Sequence, residues 1–313
     1  MADEMNIQWY PGHMTKTRRM MESELKLVDA VCEILDARIP VSSRNPDIDA
    51  ICGDKPRMVI LNRIDMADPA RTRAWADHFK ARGFSVIQTD CKSRKGIADF
   101  SPALNRLLAD KRRRYAEKGM AGKPLKAMVV GIPNVGKSSF INQVAGRKGA
   151  KAENRPGVTR GKQWVTVDQG LLLLDTPGIL WPKFEDPEVG LRLAWTGAVK
   201  DDILDTETLA ARLMDRLWQD YSAALQARYK LDAALLPEDF IHLNPAARGF
   251  ALMEQAARKR GFLLPGAELD LERMAKALLE EYRSCKLGRF TLETPLHPET
   301  RGAHSAPLHI ADS

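Results

Sequence analysis

The octapeptide Gly131-Ile132-Pro133-Asn134-Val135-Gly136-Lys137-Ser138 constrains this chain more than any other feature. It matches the phosphate-loop pattern GxxxxGK[ST], which requires a strand before it and a helix after it. Both contexts are legible, since the apolar run Ala127–Val130 precedes the loop and a helix-like run follows from Ser139. Such a loop commits the chain to an α/β fold in which backbone N–H groups at a helix N-terminus converge on phosphate. Lys137 is expected to reach the β/γ oxygens and Ser138 to ligate Mg²⁺, with Asn134, Val135, Gly136 and Ser139 lining the phosphates.

The surrounding sequence agrees. Residues 1–204 alternate branched apolar runs with amphipathic stretches, the pattern of a mostly parallel sheet covered by helices. Candidate strands are Val31–Leu35, Met58–Leu61, Phe84–Gln88, Ala127–Val130, Val165–Val167 and Leu171–Leu174. Between the third and fourth, one helix is expected to run into Lys111-Arg112-Arg113-Arg114. The glycine-bearing stretch from Gly119 to Pro124 then forms a flexible joint. From about 205 the strand signal stops. Leu209, Leu213 and Leu217 recur at helical spacing, as do Leu271, Met274, Leu278 and Tyr282, and Asp270 is placed to cap the last helix. The expected domains are 1–204 for the α/β unit and 205–290 for a small all-helical unit. A mobile tail is expected over 291–313, where prolines recur without periodicity.

The 313 residues, 44% of them hydrophobic, suit about two domains. No run approaches the length of a membrane span, so no integral membrane segment is expected. The acidic start Met1-Ala2-Asp3-Glu4 argues against a secretory or transit peptide. The four cysteines are scattered, which suits reduced thiols and a cytoplasmic location. The formal charge of +7 points to a polyanionic partner. Its source is uneven: residues 1–204 hold 34 Lys and Arg against 25 Asp and Glu, whereas 205–290 are balanced at 13 each.

Downstream of the phosphate loop, the run Leu171–Leu174 delivers Asp175-Thr176-Pro177-Gly178 to the carboxyl edge of the sheet. Asp175 is expected to hold Mg²⁺ through water and the Gly178 N–H to meet the γ-phosphate. Between these motifs, Arg155-Pro156-Gly157-Val158-Thr159-Arg160-Gly161 suits a switch loop whose Thr159 hydroxyl closes on the metal when triphosphate is present. Base choice is carried by Asn62-Arg63-Ile64-Asp65, which resembles the guanine-reading Asn-Lys-x-Asp motif. Asp65 can accept from guanine N1–H and the exocyclic amine, a donor pair adenine lacks. Arg63 stands where lysine is usual, and its planar guanidinium can still stack on the base. Asp90-Cys91-Lys92 occupies the place of Ser-Ala-Lys and adds Cys91 and Lys92 to the guanine-binding set.

In an ordinary GTPase the base motifs follow the phosphate loop, whereas here they precede it by about seventy and about forty residues. A circularly permuted P-loop GTPase domain explains that order without changing the site. With Trp9-Tyr10-Pro11-Gly12-His13-Met14, Asp36-Ala37-Arg38-Ile39-Pro40, Ser43-Arg44-Asn45-Pro46 and Arg283-Ser284-Cys285-Lys286-Leu287-Gly288-Arg289, the chain resembles the RbgA/YlqF family of ribosome-assembly GTPases over nearly its whole length. The resemblance implies GTP and GDP as ligands. It also implies a large ribosomal subunit precursor and its rRNA as partners, with the helical domain contacting RNA.

Ile179 stands where many GTPases place a water-orienting glutamine, and an isoleucine cannot do that work. The resemblance assigns the catalytic role to His13; the other reading is a histidine fixed in a turn by Pro11-Gly12. Asn134 is shared with GTPases activated by K⁺, so either potassium joins the site or Asn134 only shapes the loop. The leading expectation is a GTPase whose GTP state binds pre-ribosomal particles and whose hydrolysis they stimulate. A nucleotide-gated RNA-binding module with incidental hydrolysis is the rival, and an ATP-using enzyme is a third reading that base competition separates.

Overall fold

The computed structural model describes residues 21–146, 163–168, 170–176, 186–199 and 205–295. Six strands form one sheet: β1 (Ala30–Asp36), β2 (Arg57–Asn62), β3 (Ser85–Thr89), β4 (Leu125–Val130), β5 (Gln163–Asp168) and β6 (Leu171–Asp175), in the order β3-β2-β1-β4-β6-β5. All neighbours are parallel except β5 and β6. All six expected strands are present, each extended by a residue or two at its ends except Phe84, which lies outside β3.

Near-continuous apolar runs suit a sheet buried on both faces. In β1 all seven residues are buried. Ala30, Cys32 and Ile34 face one core, while Val31 and Leu35 face cores on the other side. Helix α1 (Ile48–Cys52) joins β1 to β2, and α2 (Pro69–Ala81) joins β2 to β3. The Asp68 carboxylate accepts from the N–H groups of Ala70 and Arg71, and Pro69 occupies the first turn of α2, where its missing N–H costs nothing. The expected single helix before β4 is instead two, α3 (Phe100–Leu107) and α4 (Ala109–Glu117). They part at Leu108, whose side chain is buried in the sheet core while α4 buries none of its own. Helix α5 (Lys137–Ala145) follows the phosphate loop.

Helix α6 (Pro187–Trp195) leads to the helical unit of α7 (Thr206–Tyr229), α8 (Pro245–Arg260) and α9 (Leu271–Arg283). Asp205, Asn244 and Asp270 each accept a backbone N–H in the first turn of the helix they precede. Leu209, Leu213, Leu217, Met274, Leu278 and Tyr282 are buried, as their spacing requires. Their core is continuous with the sheet face lined by Ala30, Cys32 and Ile34, and the Trp195 indole N–H, donating to the Leu209 carbonyl at 2.9 Å, ties α6 to α7.

The expected mobile tail is corrected at its start. Thr291, Leu292 and Glu293 are buried, because an extended segment can bury itself by fitting a groove and needs no helical or strand periodicity. The rest of the tail, from 296, lies outside the described residues.

Candidate functional site

The phosphate loop, the Asn62–Asp65 loop and the Asp90–Lys92 loop leave the carboxyl ends of β4, β2 and β3. Strand β1 has β2 on one side and β4 on the other. The chain therefore reverses its direction of travel across the sheet at β1, and the crevice at such a switch point is where open α/β sheets bind ligands. Permutation in sequence thus leaves the phosphate and base loops side by side in space.

Close approach explains two glycines. Gly131 has φ 158°, and a Cβ there would lie 2.7 Å from the Ile34 carbonyl of β1. Gly136 has φ 99°, a region that disfavours other residues, and its Cβ would lie 2.5 Å from Asn62 Nδ2. That contact exists because Asn62 is buried and joins three loops. Its Nδ2 donates to the Val135 carbonyl at 3.0 Å, and its Oδ1 accepts from Thr89 Oγ1 at 3.1 Å and from Cys91 Sγ at 3.4 Å. Arg63 adds a second bridge by donating to the Asn134 carbonyl, and its Nη1 lies 3.8 Å from Asp36 Oδ2. Asn134 Nδ2 donates to the Gly197 carbonyl at 3.0 Å, tying the phosphate loop to the segment that follows α6. Lys92 is exposed, and its backbone N–H donates to Asp90 Oδ1 at 2.7 Å.

The electrostatics follow from partial burial. Lys137 Nζ donates to the carbonyls of Gly131 and Ile132 at 3.0 and 2.9 Å. Burial lowers its pKa to about 8, against the pull of Asp175. Burial raises the Asp175 carboxyl, with Lys137 opposing. Asp65 is also raised, first by burial and then by the neighbouring charge of Asp90.

Mg²⁺ prefers hard oxygens and keeps water or phosphate for most of its sphere. The Ser138 hydroxyl in the first turn of α5 and the Asp175 carboxylate at the end of β6 supply such donors. A divalent cation would also relieve the under-compensated charge of Asp175, so the residues fit the ion. Ser138 and Ser139 are exposed. His13, Thr159, Gly178 and Ile179 lie outside the described residues.

The Asp36–Arg38 pair was not legible beforehand as part of the structure. Arg38 is almost wholly buried at 1% exposure; its Nε and Nη2 donate to the two oxygens of Asp36 at 3.0 and 2.7 Å, and its guanidinium stands 5.7 Å from the Tyr282 ring centre. Burial opposes charge on Asp36, but Arg38 more than offsets it and the carboxyl is lowered. The hint is an Asp-x-Arg pair ending a buried strand that is apolar but for Glu33 and Asp36, where an ion must bring its own partner.

Residues 126–223 match the family described as 50S ribosome-binding GTPase. Ribosome biogenesis GTPase A of Priestia megaterium is 45% identical over 94% of this chain and 99% of its own length. The chain belongs to the RbgA/YlqF family of circularly permuted GTPases. Mitochondrial ribosome-associated GTPase 1 of Mus musculus is 33% identical over 93% of this chain and 91% of its own. The GDP-bound structure of TM YlqF superposes with a TM-score of 0.63 at 25% identity, over 88% of this chain and 99% of that one. This family member is a GTPase, an enzyme of a class that generally uses Mg²⁺. No helix among the described residues is long and apolar enough to cross a membrane.

Proposed function

We propose that this GTPase acts in the cytoplasm in assembly of the large ribosomal subunit, binding a precursor particle and its rRNA with GTP in place and leaving after hydrolysis. The observation that carries the reading is the likeness to Ribosome biogenesis GTPase A across 94% of the chain, helical unit included. A bacterial relative and a mitochondrial one are both associated by name with ribosomes.

In this reading Lys137 neutralises the β/γ oxygens, while Asn134, Val135, Gly136 and Ser139 line the phosphates. Ser138, Thr159 and Asp175 hold Mg²⁺, which when bound offsets phosphate charge. The Gly178 N–H meets the γ-phosphate. Asp65 accepts from the guanine edge, and Arg63, Cys91 and Lys92 frame the base. Asn62 contributes by holding the base loop against the phosphate loop, since its amide is already bonded to Val135 there and to Thr89 at the end of β3. His13 orients the attacking water in place of the glutamine that Ile179 cannot supply. The bond from Asn134 to Gly197 supports loop shaping; hydrolysis that rises when K⁺ replaces Na⁺ would add potassium to the site. The basic excess of residues 1–204 and the arginines of the helical unit supply phosphate contacts to rRNA.

GTP hydrolysis measured with and without large-subunit particles tests the reading. A large stimulation specific to GTP over ATP, lost in His13→Ala at unchanged nucleotide affinity, is expected. A rate indifferent to particles would overturn it.

A further inference from the structure

The Asn62–Asp65 loop is gripped from outside by the chain that leaves the helical unit. Arg283, the last residue of α9, donates to the carbonyls of Trp195 and Ala194 at 3.0 and 2.7 Å, anchoring this end of the helical unit to α6. The backbone then reverses through Cys285 at φ 63° and Gly288 at φ 144°, where a Cβ would meet the Phe290 ring at 2.7 Å. Past this reversal the chain lies as a strap over two loops of the nucleotide unit.

On the base-loop side, Arg289 donates from Nη2 to the Ile64 carbonyl at 2.6 Å and from Nε to the Ala67 carbonyl at 3.1 Å. The Phe290 N–H donates to the Met66 carbonyl at 3.1 Å. Three carbonyls bracketing Asp65 are therefore held by strap residues. On the other side the Leu292 N–H donates to the Arg38 carbonyl at 2.8 Å, and the Glu293 carboxylate accepts from the N–H groups of Val41 and Ser42 at 2.6 and 3.0 Å. Thr291 joins the two sides: its hydroxyl donates to the Ala37 carbonyl at 3.0 Å and accepts from the Asp68 N–H at 3.1 Å.

A loop whose carbonyls are fixed by a guanidinium fork has little freedom left in its backbone, and Arg289 supplies that fork in the planar geometry lysine lacks. We propose that the strap, residues 285–293, is a positioning element for guanine recognition, with Arg289 holding the backbone on both sides of Asp65. The helical unit thereby sets how strongly and how selectively the nucleotide unit takes guanine. By reciprocity, guanine binding strengthens the docking of the strap. The proposal rests on Asp65 reading the base.

The test compares GDP with inosine diphosphate, which lacks the exocyclic amine that would donate to Asp65. In Arg289→Ala the preference for GDP should fall on the order of tenfold, the worth of one hydrogen bond to a charged group. Affinity for inosine diphosphate should change less, because it offers Asp65 only the N1–H and so has one contact fewer to lose. Arg248→Ala, which breaks the α8–α7 ion pair to Asp215 away from the strap, should leave the preference alone. If Arg289→Ala fails to fold, Thr291→Val, which keeps the shape and removes both hydroxyl bonds, should shift the preference in the same direction. An unchanged preference in the strap variants, or an equal loss in Arg248→Ala, overturns the proposal. Asp65→Asn separates this from the reading beneath it. A switch to xanthosine diphosphate with intact selectivity in Arg289→Ala refutes the strap alone, and no switch refutes both.

Discussion

Lys137 should make nucleotide binding depend on pH in a range where such sites are ordinarily flat. Its ammonium is lowered to about 8 by burial, against an ordinary value of about 10.4. A depressed cation loses its charge as pH rises through the shifted value. About half of the free protein then lacks this charge at pH 8 and roughly nine-tenths lack it at pH 9. Bound phosphate favours the charged form and returns the group toward its ordinary range. GDP affinity should therefore fall about tenfold between pH 7 and pH 9, with about half a proton taken up per nucleotide at pH 8. Titration calorimetry in two buffers of different ionisation enthalpy reads both quantities. Lys137→Arg keeps its charge throughout, so the ratio of the two proteins cancels any titration of guanine itself. Equal pH dependence in the two, with no proton uptake by the parent, would refute the reasoning.

Gly136→Ala should weaken GDP binding by ten- to a hundredfold, since strain at positive φ costs roughly 1–3 kcal/mol and the new Cβ would press on the Asn62 amide; parental affinity in a nucleotide titration would contradict the shared packing of the two loops. Gly249→Ala places a Cβ 1.8 Å from the Ala211 carbonyl. It should cost at least about 1–3 kcal/mol in thermal unfolding as α7 and α8 are pushed apart, and an unchanged melting temperature would rule that contact out. Burial opposes the charge of Glu281, but hydrogen bonds from Arg228, Tyr229 and Arg260 more than offset it and lower the carboxyl to about 2. A depressed carboxyl stabilises above its unfolded value and loses that stabilisation as pH falls toward the folded one. Acid unfolding between about pH 4.5 and 2 should therefore be less steep in Glu281→Gln, and identical profiles would remove Glu281 from the account.

The strands were legible because a sheet covered on both faces needs near-continuous apolar runs: Ile60 and Val129 sit in unbroken ones, and the run around Ile34 is interrupted only by Glu33. The helical caps at Asp205 and Asn244 were not among the expected ones, though each obeys the same rule as Asp270. What sequence could not convey is contact between distant segments. Asn62 looks like a base-reading residue in its motif, and its bond to Val135 arises from the order of strands in the sheet. The strap is the larger omission. Its residues show no period because each is matched to a different carbonyl or groove, so Leu292 and Glu293 read as tail although they are buried.

The most direct test of the central claim is co-sedimentation of the full chain with precursors of the large ribosomal subunit in three nucleotide states. With a non-hydrolysable GTP analogue the protein should travel with the particles, and with GDP or ADP it should remain in the supernatant. Equal binding in all three states, or none in any, would contradict a factor whose hold on the particle is set by GTP.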